Sequence, residues 1–171
     1  MRRGFTLIEL LVAIVVIAII AGLAVPAYQR ALQGGRAAAC ISNLRQIGTA
    51  LNLYLGEHNN TMPPLAAARS STSQNVPVID NTLNAYAPDA RVFACPADTA
   101  GLAAATGTSY FWNNALSNQV VANLTFLFIT APSRIPILSD KEGFHPYISN
   151  KVNLLYADGH ATKDLSFFTG P

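Results

Sequence analysis

The longest apolar run in the chain is LLVAIVVIAIIAGLAV, residues 10–25, which holds no charge and no hydroxyl. Taken back to Phe5 it becomes a 21-residue segment, Phe5–Val25, with one carboxylate inside it, Glu9. At about 1.5 Å per residue, a helix of that length spans a bilayer core of roughly 30 Å. Pro26 ends the run; inside a helix it removes a backbone hydrogen bond and clashes with the turn before it. Gly22 weakens the same stretch, so a kink or an extended segment is expected near 22–26. Further on, Ile41, Leu44, Ile47, Leu51 and Tyr54 (with Leu55) recur at steps of three and four, the pattern of an amphipathic helix. Gly34-Gly35 is a second weak point, and Asn59-Asn60 and Pro63-Pro64 stop the helix. One element over about 5–57 would be roughly 75–80 Å long, its second half packed on a globular head. No sustained heptad with flanking charges supports a coiled coil.

The pattern then shortens. Ala66–Asn75 (AAARSSTSQN) reads as an exposed loop, Asn81–Tyr86 as a short helix, and Ala97–Gly107 as a small-residue loop. Ser109–Asn113 reads as a strand, while 118–121 with 124–129 is ambiguous between strand and loop. Ile135–Asp140 is a strand in which Pro136 favours an edge position. Val152–Tyr156 and His160–Leu165 form a hairpin around Asp158-Gly159, a strong turn signal. Several short strands after one long helix predict an α+β fold: a long N-terminal helix with a small antiparallel-sheet head.

Composition sharpens this picture. Of 171 residues, 51% are hydrophobic and 12% charged, about half the charge of an ordinary soluble domain; disordered chains are polar and charged, so disorder is excluded. Eleven Lys and Arg against nine Asp and Glu give a net charge of +2 with no basic stripe, which argues against a nucleic-acid partner. Arg2 and Arg3 precede the apolar segment and the next basic residue is Arg30. The positive-inside rule therefore keeps the N-terminus cytoplasmic and places the chain beyond about residue 26 outside.

Three readings of the N-terminus compete: a cleaved secretory signal with a cut after Ala24 or near Ala27, a plain membrane anchor, and a segment in which Glu9 has work to do. A carboxylate within an apolar helix costs about 2.5–3.5 kcal/mol on insertion, and intramembrane acids usually have a partner and a function. Met1-Arg2-Arg3-Gly4-Phe5-Thr6-Leu7-Ile8-Glu9-Leu10-Leu11-Val12 resembles the class III leader of type IV pilins and type II secretion pseudopilins. The resemblance implies cutting between Gly4 and Phe5 by a prepilin peptidase on the cytoplasmic side, and N-methylation of Phe5. It further implies a single-pass subunit held in the lipid of a bacterial inner membrane with a periplasmic head. Such a subunit is passed by an inner-membrane assembly platform into a homo-oligomeric filament. The domains expected are then 1–4 (leader), 5–26 (membrane and assembly helix), 27–57 (amphipathic helix on the head) and 58–171 (head). After cleavage the ammonium of Phe5 and the carboxylate of Glu9 lie one turn apart on one helix face. Glu9 then pairs either with the ammonium of a neighbouring subunit, which sets axial register, or with that of its own Phe5. Filament relatives bend or partly melt at the region matching Gly22–Pro26.

A second resemblance covers the head. Cys40–Gly48, Phe93–Asp98, and His145 ahead of Tyr156-Ala157-Asp158-Gly159-His160 look like the large group of pilin-like proteins with a His…Asp-Gly C-terminal motif, abundant in planctomycetes and verrucomicrobia and similar to the major pseudopilin. The gap from His145 to Asp158 is longer than in that motif.

Cys40 and Cys95 are the two cysteines. Both lie on the outer side, where an oxidising compartment favours a bridge; the alternative is two buried thiols. A catalytic cysteine is not expected, since nothing in the sequence places a histidine beside either one. Asp140, Glu142 and Asp158 offer hard oxygen ligands for calcium, which the resembled major pseudopilins bind in a C-terminal loop; the alternative makes Asp158 a turn residue and Asp140 a loop cap. A zinc or catalytic site from His145, His160 and an acid is a further candidate, although no Ser-His-Asp order, phosphate loop or HExxH occurs. His58 reads as a solvated residue at the helix C-terminus. The reading favoured is a non-enzymatic filament subunit without a cofactor, calcium aside; the alternative is a membrane-tethered periplasmic metal-binding or hydrolytic domain.

Overall fold

The computed structural model describes residues 6–145 and 151–163. Helix α1 runs from Leu7 to Glu57, 51 residues, about 76 Å at the usual rise. It opens on a capping box: Thr6 and Glu9 satisfy each other's backbone and side-chain groups. The helix stays unbroken through Gly22, Pro26 and Gly34-Gly35, so in the single subunit neither glycine site interrupts it and the extended stretch expected near 22–26 is not present. Asn59 and Asn60 end it with φ of 53° and 54°, the left-handed region that asparagine tolerates better than most residues. The Asn60 N–H donates back to the Leu55 carbonyl at 2.9 Å.

The two halves of α1 have opposite environments. From Leu7 to Leu32 its large apolar side chains are exposed. From Ala37 onward one stripe is buried, through Cys40, Leu44, Ile47, Leu51 and Leu55. Ile41 and Tyr54, expected on that stripe, sit on its rim; Cys40 takes the inward place. Gly48 faces Leu155, whose methyl groups would stand 3.3 Å from a Cβ added there, so the helix approaches the sheet closely at this turn.

The sheet has four antiparallel strands in the order β1-β2-β3-β4, namely Tyr110–Trp112, Pro136–Asp140, Leu154–Tyr156 and Ala161–Thr162. Tyr110 pairs with Asp140 and Trp112 with Leu138; Ser139 pairs with Leu154; Leu155 pairs with Ala161. Helix α1 packs against β3 and β4. The hairpin between those strands turns at Asp158-Gly159 as expected, with Gly159 at φ 87°. Its continuation past Lys163 lies outside the described residues.

Three local expectations need correction. Pro136 does not mark an edge, because β2 is paired on both sides. It is tolerated as the first residue of the strand, beyond the last β1 rung at Trp112–Leu138 and beside a bulge in the β3 pairing. The stretch 97–107 contains a helix, α3, Leu102–Thr106. The short helix placed at 81–86 begins earlier; it is α2, Ile79–Thr82. The ambiguous segment 118–129 forms no strand: it holds a 3-10 turn at Val121–Asn123 and isolated bridges Thr61–Val120 and Phe126–Ile129.

The loop 66–75 is irregular, as expected, yet Arg69 turns inward. Its guanidinium pairs with Asp80 and its Nε donates to the Thr106 carbonyl at 2.9 Å. Lys141 Nζ donates to Thr106 Oγ1 at 2.6 Å and to the Thr108 carbonyl at 2.7 Å. Gly107, at φ 90°, leaves the space this cluster needs, since a Cβ there would overlap the Arg69 guanidinium and the Asp80 carboxylate. Gly107→Ala is therefore expected to destabilise the head by about 3 kcal/mol, from left-handed strain together with a disrupted half-buried ion pair. Thermal melts of the two chains check this.

Candidate functional site

Two places concentrate chemistry. The first is the exposed tip of α1. The Thr6 N–H and Oγ1–H both donate to Glu9 Oε2, at 2.8 and 2.7 Å, and the Glu9 N–H donates to Thr6 Oγ1 at 3.3 Å. Among the described residues Oε1 accepts no bond, so the carboxylate is oriented on one oxygen and open on the other. Gly4 and Phe5, the expected processing site, lie outside the described residues, as does any pairing of Glu9 with its own Phe5. Behind this tip comes the exposed apolar half of the helix, long and apolar enough to cross a membrane.

Residues 1–25 match the family model described as the prokaryotic N-terminal methylation motif. The chain carries a prepilin leader. The match stops at the apolar segment, and no curated protein and no solved structure matches the chain. The prepilin-like character thus rests on the leader together with a long N-terminal helix packed on an antiparallel-sheet head. A leader of this type is one that prepilin peptidase processes before filament assembly, on a subunit anchored in the inner membrane. Proteins of this kind are generally structural rather than enzymatic.

The second place lies in the head of this prepilin-like chain, where α1 meets the sheet. Cys40 and Cys95 form a disulfide with Cα atoms 5.0 Å apart, across 55 residues of sequence. The bridge ties α1 to the loop that follows the 3-10 turn Ala90–Phe93. That loop is held by Asp98, which accepts from the Leu102 and Ala103 N–H groups at 3.0 and 2.8 Å and from Ser109 Oγ at 2.7 Å. Ser109 Oγ in turn accepts from the Cys95 N–H at 3.0 Å. Asp98 thereby caps α3 and joins the bridge to β1. Burial pushes its carboxyl up, but the donors at Ala103, Ser109 and Leu102 outweigh this and hold it below the usual carboxylate range.

Asp98→Ala is expected to cost about 1–2 kcal/mol near neutral pH. A carboxyl lowered by folding stabilises fully above its unfolded pKa, near 3.8, and that contribution fades as pH falls through the folded value. The gap between wild type and variant in denaturant titrations should therefore narrow as pH falls below that unfolded value.

His145 lies beside this bridge. Its Nε2 is 3.7 Å from Cys95 Sγ and 3.2 Å from Asp140 Oδ2. The expectation that no histidine stands beside a cysteine is thus overturned: the loop after β2 folds back over the bridge, a contact that two positions 50 residues apart do not advertise in sequence. A disulfide sulfur is not a free nucleophile, so the arrangement lends no support to a catalytic cysteine. Asp140, at the end of β2, is 3% exposed and accepts from the Asn153 N–H at 2.6 Å.

The three acids expected to share calcium are not brought together. Asp140 is buried at this node, Glu142 is exposed two residues on, and Asp158 sits at the hairpin turn bonded to His160. Among the described residues the grouping with metal-ligand proximity is instead Cys40, Cys95 and His145. His160 stacks on Tyr156 at 4.5 Å, away from that group, and His58 stacks on Tyr54 at the exposed end of α1.

Proposed function

We propose that the chain is a structural subunit of a type IV pilus-like or type II secretion pseudopilus filament, cut after Gly4 by prepilin peptidase and held in the inner membrane until an assembly platform extracts it. The observation that carries this reading is the bare half-helix: large apolar side chains from Leu7 to Leu32 stay outside the head, with one carboxylate at the tip. Lipid covers that surface before assembly and neighbouring helices cover it afterwards. Apolar area is stabilised by about 25 cal/mol per Å² when removed from water; in lipid that gain is already made, so packing and polar pairing decide association. Glu9 supplies the polar pairing, facing the Phe5 ammonium of an adjacent subunit. Gly22 and Pro26 supply the compliance, because proline has no N–H to donate to the Gly22 carbonyl one turn earlier.

The reading is tested by shearing fibres from cells that carry the chain together with a prepilin peptidase and an assembly platform. Recovery of the chain in sheared fibres is expected. A chain found in the membrane alone, or free in the medium with its N-terminus at Val25 or Ala27, contradicts it.

A further inference from the structure

We propose that the dithiol form of the head is a zinc site built from Cys40, Cys95 and His145, and that the disulfide replaces the ion on oxidation. The ligand atoms of these three residues all lie within 4.8 Å of one another, and all three residues are buried; Cys40 is 0% and His145 2% exposed. Two thiolates and an imidazole are the donor set that selects zinc over hard cations. With metal–sulfur bonds of about 2.3 Å and metal–nitrogen bonds of about 2.0 Å, the sulfur–nitrogen edge of a tetrahedron is about 3.5 Å. The Cys95 Sγ to His145 Nε2 separation is 3.7 Å, so these two ligands stand nearly in place, while Cys40 Sγ, bonded to Cys95 in the disulfide, must on reduction swing away to the sulfur–sulfur edge of about 3.8 Å. Asp140 Oδ2, 3.2 Å from the same nitrogen, is the adjacent donor for the fourth position.

The carboxylate at this node supports the same reading: Asp140 is 3% exposed, and a bound cation would supply a counter-charge that offsets the cost of burying it. A disulfide alone requires neither a histidine nor an acid beside it.

The chemistry balances in both directions. A newly made chain carries Cys40 and Cys95 as thiols; zinc binds as both thiol protons leave to solvent. An incoming disulfide oxidant then takes the electron pair from the two thiolates, with two protons from solvent, and becomes a dithiol. The Cys40–Cys95 bond forms and the ion departs.

The test uses the full chain in detergent, reduced anaerobically with a trialkylphosphine. The phosphine becomes its oxide with oxygen from water, the two sulfurs take up the electron pair and two protons, and excess reagent is removed. Cobalt(II) is titrated as the optical probe and then displaced by zinc. One cobalt per chain with thiolate charge-transfer and tetrahedral d–d bands is expected, at least about a hundredfold tighter than in the oxidised chain. His145→Gln keeps both thiols and should weaken binding at least about tenfold. Should reduction unfold the head, zinc is expected to restore its circular dichroism. The proposal is overturned if the reduced chain takes up no cobalt, if His145→Gln binds as tightly as wild type, or if zinc leaves a reduced, unfolded head unfolded.

Discussion

Replacing Glu9 by alanine is expected to cut the yield of sheared fibres at least about tenfold while leaving the amount of chain in the membrane unchanged or higher. Both halves follow from the same charge. In the bilayer the carboxylate is a liability of about 2.5–3.5 kcal/mol, so its loss favours the stored state. In the proposed fibre it faces an ammonium, and two unit charges about 4 Å apart attract by roughly 4 kcal/mol at an effective dielectric near 20. Glu9→Gln separates charge from capping. The amide oxygen still accepts from the Thr6 N–H that Glu9 Oε2 accepts from now, and the helix end stays ordered, but the ammonium loses its counter-charge. Glu9→Gln should therefore assemble as poorly as Glu9→Ala. Wild-type yield from Glu9→Gln with loss confined to Glu9→Ala would assign the residue to helix capping.

Removing the disulfide should have the largest effect on the head. With Cys40 and Cys95 both changed to alanine, the unfolded chain regains the freedom of a loop spanning 55 residues, about 4 kcal/mol in the chain-entropy model. Two buried sulfurs are lost as well, leaving a small cavity in the core of which Cys40 and Cys95 are members. Denaturant titration of the full chain in detergent should show a midpoint well below wild type, with the exposed apolar half of α1 unaffected because the bridge joins only its buried half to the head. A shift of less than about 1 kcal/mol would mean that packing alone holds α1 in place.

The long helix was legible because its two signals are strong and local. An uninterrupted apolar run and a three–four repeat each specify a helix, and Asn59-Asn60 stop it through a backbone region that few other residues adopt. Pro26 does not interrupt the helix, because one missing hydrogen bond is not enough to break a 51-residue helix whose other bonds persist. In the head, turn chemistry identified the Asp158-Gly159 hairpin, whereas the position of β2 inside the sheet was hidden, since proline at a first strand residue and proline on an edge read alike. Helix α3 was invisible in a run of small residues because its cap, Asp98, comes from before the helix and bonds across to Ser109. The node at His145 depends on a contact between α1, the Cys95 loop and the loop after β2, and no periodicity encodes it. The cysteines are individually conspicuous; their histidine neighbour stands out in the sequence as a motif residue and as a candidate zinc ligand with His160, but not as a neighbour of the cysteines.

Assembly through the first turns of α1, exposed by leader cleavage, is tested most directly by intact-mass and fragmentation spectrometry of the mature chain from a host with a prepilin peptidase. An N-terminus at Phe5 bearing one added methyl group on its amine is expected. An N-terminus at Val25 or Ala27, or an uncut chain retaining Arg2 and Arg3, would contradict it.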